Sequence, residues 1–135
     1  MTNFTVRSRS LDLPSPATLQ DLSPLPWIIN QDGCGFRSAI QRRFEQEHLS
    51  LRIGIEALSS DLRLSLVARG LGITLATRAA IESSPLRDAL QVIPVQDFEP
   101  RVRAWIVRRP PVGRLVKPIK CLTSTLEAAI DVLQI

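Results

Sequence analysis

Strand and helix patterns alternate along most of this 135-residue chain at short connection lengths. That alternation predicts an α/β fold, an open, largely parallel or mixed sheet flanked by helices. Three stretches carry the prediction. The apolar run Trp27-Ile28-Ile29 stops at Asn30-Gln31-Asp32-Gly33 and gives way to Phe36, Ile40 and Phe44 at helical spacing. Leu51, Ile53, Ile55 and Ala57 alternate with Arg52, Gly54 and Glu56, the period of a half-buried strand, and a helix start follows. Gly72 to Ala76 then reads as another short strand behind a glycine-terminated helix.

Residues 1–17 are polar and proline-rich, with a first strand at Phe4 to Arg7 or no regular structure. Thr18 to Leu22 can form one helical turn. Ser59-Ser60-Asp61 supplies a cap and an acidic first turn for a helix whose apolar face is read as Leu62, Leu66 and Val67. Gly70 is placed to end that helix in the left-handed conformation. Arg78 to Glu82 forms a brief helix halted by Ser83-Ser84-Pro85. Leu90 to Val95 and Val102 to Val107 are two further strands. Across 114–133, Leu115, Ile119, Leu122, Leu126, Ala129, Ile130 and Leu133 form one apolar stripe on a terminal amphipathic helix. Residues 1–135 are expected to form a single domain.

Composition narrows the function. No apolar run reaches the roughly 20 residues that span a bilayer, and Met1 to Asp12 lacks the apolar core of a signal peptide, so a cytoplasmic protein without membrane contact is expected. Cys34, Cys121 and the lone His48 make neither a disulfide framework nor a zinc site, and no metal or cofactor is expected. The net charge of +4 is spread along the chain, densest from Arg101 to Lys120. That stretch reads as a solvated basic face or as a small nucleic-acid contact. Catalysis has no footing. There is no Gly-x-Ser-x-Gly elbow, no carboxylate pair with a shared site, and "QDGCGF" lacks the Lys and Ser/Thr of a phosphate loop. No enzyme is expected.

Ligands of open α/β sheets sit beyond the carboxyl ends of the strands. The rule selects Asn30 to Phe36, Ala57 to Ser60 and Thr74 to Thr77, whose turns are expected to converge on one pocket. Gly33 and Gly35 either expose backbone N–H groups to an anion at a helix start or only shape a tight turn. Ser59 caps its helix or contacts a ligand, and Thr74 faces the pocket or satisfies backbone. Arg37 is exposed and solvated or pairs a ligand carboxylate bidentately.

Three segments in order, "LSPLPWII" (22–29), "IGIEALSS" (53–60) and "LVARGLGITLAT" (66–77), together resemble the effector-binding domain of LysR-type transcription regulators. "RVRAWIVRR" and the terminal helix agree with it, and the resemblance covers roughly residues 18–133. It implies a periplasmic-binding-protein-like lobe, mainly the second of two, that senses a small effector, commonly a carboxylate or other anion. Homo-oligomers are implied as well. DNA contact is implied only through a winged-helix domain absent from this chain. The ligand contacts expected on this basis are Asn30, Gln31, Gly33, Cys34, Gly35, Ala57, Leu58, Ser59 and Thr74. A self-associating structural or interaction domain, or a truncated regulator without ligand binding, is the competing reading.

Overall fold

The computed structural model describes residues 4–101, 107, 109–110 and 113–133. Two compact units form, residues 2–102 and residues 103–135 with Met1. In the first, strand β1 (Phe4–Ser8) is followed by α1 (Leu19–Leu22), β2 (Trp27–Ile29), α2 (Gly35–Gln46), β3 (Ile53–Glu56), α3 (Ser60–Ala68), β4 (Thr74–Ala76), α4 (Arg78–Ser83) and β5 (Leu90–Ile93). The second contains α5 (Val116–Leu133), with Pro118 in its first turn, where a missing N–H costs nothing. Within that unit Leu115, Leu122 and Leu126 remain exposed. The strand expected over Val102 to Val107 lies outside the described residues, apart from Val107 itself. Among the described residues, no helix is long and apolar enough to cross a membrane.

The sheet is mixed. β2 and β3 pair in parallel. β4 joins β2 through a parallel bridge from Ile73 to Trp27: Ile28 N–H donates to the Ile73 carbonyl (2.8 Å) and Ile73 N–H to that of Pro26 (3.0 Å). β1 runs antiparallel to both β4 and β5. The order is therefore β3-β2-β4-β1-β5, with β1 alone reversed.

Strand alternation sorts the core into two faces. Trp27, Ile29, Ile73 and Leu75 point to one side and pack with Leu19, Leu22, Ile40 and Phe44 of α1 and α2. Ile28, Ala76 and Val6 point to the other and pack with Leu64 and Val67 of α3. Trp27 is fully buried, edge-on to Phe44 with ring centroids 5.9 Å apart, and its indole N–H donates to the Leu22 carbonyl.

The α3 face differs from the sequence expectation. Arg63, Leu64 and Val67 are buried, whereas Leu62 is 51% exposed and Leu66 half-buried. Leucines at 62, 64 and 66 surround the helix, so periodicity alone leaves its buried side undetermined. Ser59 caps α3 and Gly70 adopts φ +78°, as the sequence predicts.

Helix α1 is short and relies on a capping box. The Asp21 carboxylate accepts from both the N–H and the hydroxyl of Thr18 at 2.8 Å. These bonds, the backbone one foremost, hold Asp21 below its ordinary value of 3.8. A depressed folded pKa means the stabilisation is complete above the unfolded value and disappears as pH falls through the folded one. Asp21→Asn is accordingly expected to flatten the acid limb of a stability–pH profile below about pH 4. An unchanged profile would show that the box contributes nothing there.

Candidate functional site

The carboxyl ends of β2, β3 and β4 open toward one rim, where α2, α3 and α4 begin. A cavity of about 260 Å³ lies there. Its apolar wall comes from Ile29, Phe36, Ile40, Leu75 and Ala76, and its polar wall from Asn30, Cys34, Ser60, Thr74 and Thr77, with Arg37 and Arg63 supplying charge.

The helix starts around the cavity differ. Ser59 accepts from Leu62 N–H and Thr77 from Ala80 N–H, so α3 and α4 are capped by side chains. At α2 the capping position is Cys34, which makes no side-chain bond to the helix. Among the described residues, its first-turn N–H groups have no side-chain acceptor.

The two arginines are both buried but not equivalent. Arg37, 8% exposed, donates to the Glu56 carboxylate (2.8 Å) and the Asn30 carbonyl (3.0 Å). Its Nε lies 2.9 Å from an Asp32 oxygen, although that N–H is not aligned for a hydrogen bond. Two carboxylates thus flank its single charge. Arg63, 6% exposed, donates to the carbonyls of Ala57 and Leu58 and to the Ser60 hydroxyl, each at 3.0 Å. Among the described residues no carboxylate pairs with it. Burial lowers its pKa from the usual arginine value, and the nearby Cys34 acts in the opposite sense. Among the described residues there is also no cluster of three or more His, Cys, Asp or Glu side chains able to hold a metal.

The description of the LysR substrate binding domain matches residues 6–126, most of the chain. The chain belongs to this family. It is 31% identical over 114 residues to the RuBisCO operon transcriptional regulator of Acidithiobacillus ferrooxidans, covering 84% of this chain and 36% of that protein. Among solved structures, the regulatory domain of CcmR from Synechocystis in complex with 2-PG is similar at TM-score 0.65 and 22% identity, over 72% of this chain and 48% of that one. The effector-binding domain of QuiR in complex with shikimate is similar at TM-score 0.60 and 20% identity, over 73% and 49%. These likenesses show the fold, that of LysR effector-binding domains. The chain spans about a third of the curated regulator's length and about half of each domain's.

In this LysR effector-binding domain, all three segments selected from the strand ends contribute to the cavity wall. Asn30, Cys34 and Thr74 line it directly. Gln31 and Gly33 are exposed on the preceding loop, Gly33 at φ +87°, and Gly35 is the first residue of α2. Ala57 and Leu58 take part through their carbonyls, which hold Arg63, and the Leu58 side chain is 73% exposed. Ser59 spends its hydroxyl on the α3 cap. Thr74 satisfies backbone, donating to the Ile28 carbonyl at 2.6 Å, and still borders the cavity. A solvated Arg37 is excluded by its burial and its two carboxylate neighbours. In the sequence Arg63 is one of many scattered cations and nothing about its charge singles it out. The signal that reveals it is a cation sharing a helical face with Leu64 and Val67.

Proposed function

We propose that this domain senses a small anionic effector, seated in the rim cavity with Asn30, Cys34 and Thr74 among its contacts. In this reading both units belong to one effector-binding domain of a longer regulator, which touches DNA through a winged-helix segment. The uncapped start of α2 at the cavity carries the proposal: free N–H groups at a helix N-terminus favour a negative group. Ile29, Phe36 and Ile40 provide an apolar surface for the rest of the molecule. The structurally similar domains are recorded in complex with small molecules, 2-PG and shikimate, which supports a small effector here. An effector changes the regulator's output only by its difference in affinity for two arrangements of the whole protein.

Thermal unfolding with 2-PG, shikimate and other small organic acids tests the proposal. An acid at 100 times its dissociation constant adds about 2.7 kcal/mol of stability. Cys34→Asp places a carboxylate at the uncapped position, where it competes for the same N–H groups. This variant is expected to gain about 1 kcal/mol of intrinsic stability as a helix cap and to lose the response to acids. Acids that stabilise both proteins equally would put the ligand elsewhere, and no response to any of them would remove the proposal.

A further inference from the structure

We infer that Arg63 is the residue that reads the effector's charge, so that the molecule presents one oxyanion head group, carboxylate or phosphate, to this guanidinium. The inference rests on the reading of the rim cavity as the effector site and specifies what binds there.

Charge balance leads to it. A buried cation is strongly disfavoured unless an anion or a set of hydrogen bonds replaces its water. Arg37 meets that condition through Glu56 and Asp32, so an incoming anion at Arg37 would meet the repulsion of two carboxylates. Arg63 does not. Its partners are two carbonyls and a hydroxyl, all neutral. Three of its five N–H donors are used, which leaves the Nε–H and one Nη2–H without an acceptor among the described residues. These bonds also fix the side chain in place, so an anion finds a guanidinium that needs no further ordering. The uncapped α2 start borders the same cavity and adds N–H donors from a second element. Among the described residues the Arg63 guanidinium has no anionic partner, a place that one anionic group would fill. The apolar wall of Phe36 and Ile40 suits an uncharged remainder of the ligand.

Arginine-selective ¹⁵N spectra of the full chain test this, with inorganic phosphate and acetate as probes and the Arg63 Nε–H signal identified by its loss in Arg63→Lys. A saturable shift of that signal with phosphate, acetate or both is expected, and the stronger probe identifies the head group. Arg63→Gln is expected to weaken the probe's thermal stabilisation about tenfold or more in concentration, the loss of a hydrogen bond to a charged group. If the variant does not fold, the wild-type titration decides alone. An Arg63 signal that stays still, or drifts without saturation as exposed arginines do, overturns the inference. The two readings fail separately. Organic acids that stabilise the protein while Arg63 is silent leave the cavity proposal standing without this one. A responsive Arg63 with no organic acid bound does the reverse.

Discussion

Gly72→Ala is expected to destabilise the domain by about 3 kcal/mol, the upper end for forcing a carbon into packed structure. A Cβ at this position would collide with the carbonyl oxygen of Pro26 and also press on Ile28 Cγ1 at 3.2 Å. That carbonyl receives the Ile73 N–H, one of the bonds that tie β4 to β2. A clash with backbone is not relieved by a rotamer change, so the strands must separate where the sheet's two parts join. For a domain of this size the loss corresponds to a fall in Tm of roughly 10–20 °C. Gly70→Ala is the control, because its Cβ would meet open space and only the left-handed torsion resists, at about 1 kcal/mol. Equal losses for the two variants would show that torsion rather than collision sets the cost.

Trp27→Ala is expected to cost about 3–5 kcal/mol, as large-to-small changes of buried aromatics do. The ring is fully buried against Phe44, Leu19, Leu22 and Ile73, and its indole N–H holds the Leu22 carbonyl that ends α1. Since small domains have only about 5–15 kcal/mol in total, urea unfolding followed by circular dichroism should show a much lower midpoint. Trp27→Phe keeps most of the apolar volume and gives up the hydrogen bond, so its midpoint should fall between the two. A wild-type midpoint for Trp27→Ala would mean the α1–α2 face is not the principal core.

Much of the fold is legible in the sequence because its determinants are local. The Ser59 cap, the left-handed Gly70 and the alternation around Ile53 and Ile55 each depend on a few neighbouring residues, and each appears where its chemistry requires. What is not legible depends on distant partners. Phe4 to Ser8 alone does not reveal that it fills the position between β4 and β5, or that it runs against both. The strand-end rule selects the rim where the cavity lies, and Asn30, Cys34 and Thr74 are among its lining residues. It does not distinguish a side chain on the wall from one that serves a cap, which is the difference between Ser60 and Ser59. Nor does it reveal which arginine is neutralised, because Glu56 lies 19 positions from Arg37 in the chain.

Pro26 stands between two glycines that crowd it for different reasons. A Cβ at Gly54 would meet the proline ring carbon at 2.9 Å, whereas one at Gly72 would meet its main-chain oxygen. The first obstacle is the β-carbon, which every residue but glycine carries, so it vanishes only when position 26 itself becomes glycine. The second is present whichever amino acid occupies 26. A side chain at 54 is thus admitted only in exchange for a glycine at 26, while position 72 has no companion whose mutation would release it.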